Sequence, residues 1–319
     1  MRIRFGFVAM SLKLPESSPS KTITVTNFKK LPDNEVKLYR LHRLAKENLT
    51  NSLRILRHAV DNGIYIYRFT SKLIPLATHP IAEFWDWQQE LRKEFAAIGE
   101  YIKANNIRVS AHPDHFTVLN SPKEDVLAAA IKDLSYHHDL FEAMGLGEEA
   151  KLVIHLGGAY KNKQESIARF IKNFSLVPNP IGSRVILEND DKSYNAEEVL
   201  LVCESLGIPM VLDLHHHQFN ASESDLKTLL PRIFATWQGT GLVPKLHLSS
   251  PKSPEDFRSH ADDIDPSYFL DFLKIAKSLD VDFDVMLEAK NKDLALFNLM
   301  KKLKKVPDIT FETDAIIKY

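Results

Sequence analysis

The chain has 319 residues, 44% of them hydrophobic, enough for a large core and incompatible with a disordered tail. Its 41 Lys and Arg balance 42 Asp and Glu, giving a formal net charge of −1. A protein that coats nucleic acid by general basicity is therefore excluded, and any polyanion contact must come from a local patch or bound metal.

Eight short apolar runs recur along the chain: Ile3–Met10, Ile64–Phe69, Ile107–Ala111, Leu152–Leu156, Val185–Leu187, Pro209–Leu214, Pro244–Leu248 and Phe283–Leu287. Several are rich in Val and Ile and nearly continuous, the pattern of strands buried on both faces of a parallel sheet. Helical spacing fills the intervals. It runs through Leu41 to Val60 with Gly63 as a stop, Trp87 to Ile102, Val126 to Met144 closed by Gly145, and Ala196 to Leu206 closed by Gly207. It continues through Leu226 to Phe234, Phe269 to Ala276 and Leu294 to Met300, and is weakest around Gln164–Asn173. Strand–helix units without a linker predict one TIM (β/α)8 barrel over residues 1–319. The irregular stretch Ser11–Asp33 is long enough to be either functional or disordered. The single cysteine, Cys203, excludes a disulfide framework, an all-cysteine zinc site and an iron–sulfur cluster. No stretch has the ~18–20 apolar residues of a membrane helix, and the first residues carry no signal-peptide core. A cytoplasmic protein is expected.

Histidine is the unusual residue, with 13 copies. In a barrel, chemistry sits at the C-terminal strand ends. There the third strand delivers His112 and His115, the fourth His155, the fifth Glu188, the sixth Asp213 and His216, the seventh His247 and the eighth Glu288. Polar residues closing single strands are commonplace, but groups of this kind converging on one rim leave charge uncompensated unless cations lie between them. Imidazole and carboxylate without thiolate suit Zn, Mn or Fe. Glu188, Asp213, His247 and Glu288 would fill one site, and His112, His155, His216 and His260 remain, so two or three ions are expected. Ions ~3.5–4 Å apart suit phosphoryl chemistry. Lys245 points to the same side of its strand as His247, so it must be neutral, modified or engaged with substrate phosphate. His42, His58, His137 and His138 lie in helical patterns and are read as structural, and His79 is left open.

The motifs Tyr67-Arg-Phe-Thr-Ser71, Pro75-Leu-Ala-Thr-His-Pro80, Ser110-Ala-His-Pro113, His155-Leu-Gly-Gly-Ala-Tyr160, Leu187-Glu-Asn-Asp-Asp-Lys192, Asp213-Leu-His-His216, Lys245-Leu-His-Leu-Ser-Ser-Pro-Lys252, Arg258-Ser-His-Ala-Asp262 and Glu288-Ala-Lys290 closely resemble the UV damage endonucleases. These are bacterial and fungal DNA repair enzymes related in fold to endonuclease IV. The resemblance implies a metal cluster, usually manganese, with Zn2+, Mg2+ or Co2+ as other divalent ions. It implies that His112, His155 and Glu188 hold one ion, and that Glu188, Asp213, His247 and Glu288 hold a second. It also implies that His216 and His260 hold a third, that Lys245 is carboxylated, and that His79 lies near the scissile phosphate. The implied reaction is incision of double-stranded DNA immediately 5′ of a UV photoproduct, leaving a 3′-hydroxyl, by a monomer located at the nucleoid through its DNA.

Two departures stand out. The probing pair that the family inserts into the duplex is commonly Gln and Tyr, whereas His115 and Phe116 occupy it here. The first strand carries Phe7 where Tyr is frequent, and no Asn follows it. Phe7, Arg68, Tyr160 and Lys252 are expected to contact DNA, with Lys13, Lys21, Lys29, Lys30 and Lys161 gripping the backbone. The competing reading is a xylose-isomerase-like sugar isomerase or epimerase using Glu188, Asp213, His247 and Glu288 on one ion. A catalytically silent DNA-binding or structural barrel is the third.

Overall fold

The apolar runs become strands whose side chains are almost all buried, as expected where helices cover one face and the barrel interior the other. A computed structural model describes all 319 residues. The barrel strands are β1 (Arg2–Val8), β2 (Ile66–Phe69), β3 (Arg108–Ala111), β4 (Lys151–His155), β5 (Val185–Glu188), β6 (Met210–Asp213), β7 (Lys245–Leu248) and β8 (Phe283–Leu287). Each pairs in parallel with the next, and β8 pairs with β1 through Ile3↔Phe283. The ring closes where Gly6 meets Ile66. A Cβ at Gly6 would run into the Ile66 carbonyl, so glycine sets the closeness of that seam.

The helices are α1 (Val25–Lys29), α2 (Asn34–Asp61), α3 (Trp87–Glu90), α4 (Arg92–Ala104), α5 (Glu124–Ala143), α6 (Lys163–Phe174), α7 (Asn179–Gly182), α8 (Ala196–Leu206), α9 (Leu214–Phe219), α10 (Leu226–Ala235), α11 (Ser267–Ala276) and α12 (Lys292–Leu303). The weak periodicity after the fourth strand is a full helix, α6, started by Asn162, whose side chain accepts from the Glu165 N–H at 3.2 Å. The pattern from Trp87 to Ile102 divides into α3 and α4 at Leu91. The main core lies between the strands and this helical ring. A second, small apolar cluster (Val153, Ile186, Val211 and Trp237) lies inside the barrel, with the indole N–H donating to the Met210 carbonyl at 2.7 Å. Beside it the Arg4 and Arg108 guanidinium groups pair with fully buried Asp284, at 2.7 and 2.6 Å.

Two features differ from the sequence expectation, and a third excludes one of two open alternatives. The first strand ends at Val8 rather than Met10, because Ala9 turns into the left-handed region at φ 58°. The stretch Ser11–Asp33 is ordered: Ser11 Oγ donates to Asp293 at 2.5 Å, and the Lys21 N–H donates to the Asn48 side chain at 2.8 Å. Finally, β9 (Thr310–Thr313) and β10 (Ile316–Lys318) form a hairpin that adds antiparallel to β1 through Arg2↔Lys318. That hairpin pairs with Arg2–Arg4, the part of β1 that precedes its pairing with β2 through Gly6–Val8.

Candidate metal centre

Strand alternation sends residues two apart to the same side, so Lys245 and His247, like Arg108 and Ser110, stack along the barrel axis. Above them, the end of β5 places Glu188 at the centre of the rim, 1% exposed. Its two oxygens face different partners. Oε1 lies 2.6 Å from His247 Nδ1, and Oε2 lies 3.0 Å from His112 Nε2 and 3.6 Å from His155 Nε2. His247 Nδ1 is also 3.1 Å from Glu288 Oε1. Ligand-type atoms therefore gather in two groups, His112–His155–Glu188 and Glu188–Asp213–His247–Glu288, each within 4.8 Å. Glu188 belongs to both.

The donor set fits divalent ions on three observations. Asp213 Oδ2 is a buried polar atom without a hydrogen-bond partner, which is costly unless something else satisfies it. His112 Nδ1 lies 3.0 Å from the Pro113 carbonyl, which can only accept. Its Nε2 lone pair therefore faces the Glu188 carboxylate unless a proton or a cation intervenes. Nitrogen and oxygen donors without sulfur match Mn, Zn or Fe.

Neighbouring hydrogen bonds fix the donors. Asp213 caps α9, with Oδ1 accepting from the His216 N–H at 2.7 Å, and so keeps Oδ2 directed inward. Asn189, fully buried, joins β5 to β6: its amide donates to the Asp213 carbonyl at 3.0 Å and accepts the Asp213 N–H at 2.9 Å. Its backbone carbonyl lies 2.8 Å from His216 Nδ1.

The charges are strongly interdependent. Burial opposes a charge on His247, but Glu188 and Glu288 outweigh it and lift the imidazole to about 9. Burial likewise opposes a charge on His216, and Asp213 and Glu188 raise it to about 9. Burial, reinforced by Glu188 and Glu288, pushes Asp213 up to about 7. Burial acts against ionisation of Glu188, yet His247 and His112 hold it well below the usual carboxylate range. Glu288 is held low against the same burial penalty by Arg68 and His247.

Other expected residues separate clearly. His216 Nδ1 is 3.8 Å from Asp213 Oδ1, and His260 Nδ1 is 3.9 Å from Glu288 Oε2. Both line a cavity of about 570 Å³ with His112, His155, Glu188 and Glu288, but neither joins the two ligand groups. His215 lies between them as a packing residue, 2.7 Å from the Phe257 carbonyl and 2.6 Å from Ser249 Oγ. Lys245 is 1% exposed beneath the rim and donates to Ser110 Oγ at 3.0 Å. Burial, with Arg108 nearby, pushes its amine well below its ordinary value, which disfavours the repelled cation. Arg68 pairs with Glu288 inside the cavity and is the missed counter-charge of the centre.

His115 and Phe116 sit edge to face, 4.9 Å apart, with Phe116 59% exposed. Tyr160 is exposed on the loop after β4, and Lys252 is exposed and paired with Asp256 at 3.0 Å. Phe7 must be corrected: it is fully buried, edge-on to Tyr67 at 5.8 Å, and presents nothing to a duplex. The Tyr67 hydroxyl donates to the Ala9 carbonyl at 2.6 Å, so this pair shapes the end of β1. His79 Nδ1 accepts from the Ile81 N–H at 3.1 Å and caps the short turn Pro80–Ala82, outside the lining of both rim cavities. Asn189, Lys72 and Asp114 were not singled out from sequence. Asn189 directly follows Glu188, and that adjacency was its only signal.

Comparison with known proteins gives one consistent result. A UV DNA damage endonuclease of Bacillus velezensis (strain DSM 23117 / BGSC 10A6 / LMG 26770 / FZB42) is 44% identical over 320 residues, covering 100% of this chain and 99% of that protein. The crystal structure of SacUVDE superposes with a TM-score of 0.83 at 32% identity, over 95% of this chain and 100% of that one. Endonuclease IV from Thermus thermophilus shares the fold, with a TM-score of 0.55 at 14% identity over 94% and 98% of the two chains. Residues 3–319 match the family described as UV-endonuclease UvdE, and the chain belongs to that family.

Proposed function

We propose that this protein is a metal-dependent DNA repair endonuclease that cuts the phosphodiester backbone immediately 5′ of a UV photoproduct and leaves a 3′-hydroxyl. The observation that carries this reading is Glu188, one buried carboxylate shared by two ligand groups. His112, His155 and Glu188 would hold one divalent ion, and Glu188, Asp213, His247 and Glu288 a second. His216 and His260 would complete a third position at the cavity edge. Manganese suits the donor set, and Zn2+, Mg2+ or Co2+ can replace it. Bound ions of this kind neutralise a phosphate and activate water for in-line attack.

The chain's residues supply the rest. Glu188 and Asp213 hold the negative charge that orders the centre, and Asn189 fixes their spacing. Arg68 balances Glu288 and adds positive charge where a phosphate would approach. Lys245, whose burial favours the neutral amine, would bond to carbon dioxide through Nζ with loss of one proton, giving an anionic carbamate beneath the rim. His79 is assigned to the scissile phosphate by resemblance, and reaching it requires substrate-linked movement of the Pro80–Ala82 turn. His115 and Phe116 form an exposed wedge able to enter a weakened base stack, since damaged bases cost less to extrude. Tyr160 would contact DNA beside that wedge, whereas Lys252, on the loop after β7 and paired with Asp256, would meet only the far flank of a duplex. A monomer has the whole ligand set within one chain. The sugar isomerase reading is not retained, because it leaves the His112–His155–Glu188 group without a use.

The test is nicking of ultraviolet-irradiated supercoiled plasmid by protein loaded with Mn2+. Irradiated plasmid should be relaxed, unirradiated plasmid spared, and a chelator should stop the reaction. Irradiated plasmid left intact by fully loaded protein would overturn the proposal. A duplex with one defined photoproduct then maps the cut to the 5′ side or elsewhere.

A further inference from the structure

Tyr160 combines exposure, backbone strain and rigid support in a way the chemistry at the ions does not explain. It has φ 43° and the next residue, Lys161, has φ 68°. Two successive non-glycine residues in the left-handed region are unfavourable and persist where the surroundings dictate them. The ring at this strained position is 44% exposed.

The back of the ring is built. A Cβ at Gly158 would lie 3.0 Å from Tyr160 Cε2, so the ring packs closely against the loop backbone there. The Arg169 guanidinium lies 5.4 Å from the ring centroid, within cation–π range. Arg169 is itself fixed, with Nε donating to the Asn120 carbonyl at 2.7 Å and Nη2 to Ser166 Oγ at 3.1 Å. Ser166 donates in turn to the Ala159 carbonyl at 2.8 Å, beside Tyr160. Loop, ring and α6 thus form one braced unit. The ring lines a cavity of about 460 Å³ whose wall includes His112, His155 and His216.

We infer that Tyr160 is a stacking platform for one unpaired nucleobase of the substrate, with Arg169 as the positioning residue that holds the ring from behind. The inference rests on the DNA-repair reading and deepens it. A braced aromatic face beside a phosphate-cutting centre cannot stack on bases that remain inside a paired helix. It matches an extruded base, whose stacking on an aromatic side chain contributes ~1–3 kcal/mol and tolerates any base identity. The platform is separate from the His115–Phe116 wedge: one enters the stack, the other receives what leaves it.

The experiment uses the full chain loaded with Mn2+ and a duplex carrying one photoproduct, with the lesion-directed cut read by product length. Tyr160→Leu should raise KM about 5- to 150-fold, the equivalent of the stacking contribution, with kcat changed much less. Tyr160→Phe should behave as the parent. Arg169→Ala should shift KM in the same direction, and the double variant should be no worse than Tyr160→Leu alone. Replacing one base at a time by a flexible spacer should find a position where the Leu variant loses nothing further. A parent that cuts while Tyr160→Leu matches it, a Phe variant as impaired as Leu, or strictly additive losses at every spacer position would overturn the inference. A parent that fails to cut at all would instead overturn the repair reading.

Discussion

Glu188 turns each of its oxygens to a different ligand group, and the consequence is a distinctive mutational asymmetry. Glu188→Gln should empty both positions and abolish incision, whereas Glu288→Gln should empty only the group it belongs to. Metal content per chain by atomic emission checks this, and a Glu188→Gln protein with its full complement would refute the bridging role. Asn189 acts one layer out. Asn189→Ala should lower metal affinity or activity ~10–100-fold, as outer partners of metal ligands typically do, while circular dichroism stays unchanged. Competition with a metal-binding dye would measure it. At this scale the two clusters of candidate ligands were legible because a barrel puts strand-terminal residues on one rim whatever their sequence separation. The bracing role of Asn189 and the pairing of Arg68, expected only as a DNA contact, with Glu288 were not, since a cation paired to a carboxylate and an amide bracing a strand leave no spacing pattern. Phe7 shares the parity of Ile3 and Phe5 along β1, so alternation turns it into the main core with them rather than toward a substrate.

The loop after β1 is an element held by one buried node. Asp293, at the start of α12, is fully buried and accepts from Ser11 Oγ and the Leu12 N–H, at 2.5 and 2.8 Å, with His58 Nε2 3.2 Å away. This explains why a Lys-, Ser- and Pro-rich stretch is ordered: its anchor comes from the opposite end of the chain, which no local window reveals. Asp293→Ala leaves those partners unsatisfied and should destabilise the protein by about 1–3 kcal/mol, with amide exchange rising across Ser11–Lys30. Unchanged exchange there would sink the idea. The terminal hairpin β9–β10 was missed for a related reason, since eight units already close a barrel. On α5, His137 follows the structural reading given to helical histidines. Its ring is fully buried, with Nδ1 2.8 Å from the Asp133 carbonyl, and burial pushes its pKa down. The unfolded chain therefore binds a proton that the folded chain refuses. Stability is retained above the ordinary imidazole value of ~6.5 and falls by up to ~1.4 kcal/mol per pH unit below it. His137→Leu should flatten the difference between urea unfolding at pH 7 and pH 5, and an unaltered difference would refute the assignment.

Across the whole molecule, a net charge of −1 conceals two unlike halves of one rim. The loops that follow β1 to β4 carry seven lysines against five carboxylates, while those that follow β5 to β8, Glu288 apart, carry nine carboxylates against four cations. A polyanion is therefore attracted to the β1–β4 side and repelled from the other. That same side presents Phe116 and Tyr160 to solvent. The duplex is expected to lie there, with the ions at its inner edge. Not every lysine is free to grip it. Lys21 is paired with Glu47 at 2.5 Å, and Lys13 lies 4.7 Å from the Phe297 ring centroid, whereas Lys29, Lys72 and Lys161 are exposed on three different loops. Replacing those three by Ala should reduce the slope of log binding constant against log salt by about 0.9 for each phosphate no longer neutralised. The weakening should be uniform across damaged and undamaged duplex, because phosphate contacts carry no sequence or lesion information. Lys305, beyond the C-terminal end of α12 and so at the opposite end of the barrel, is the control, and its removal should leave the slope alone. An unchanged slope in the triple variant, or an equal change from Lys305→Ala, would place the duplex elsewhere on the molecule.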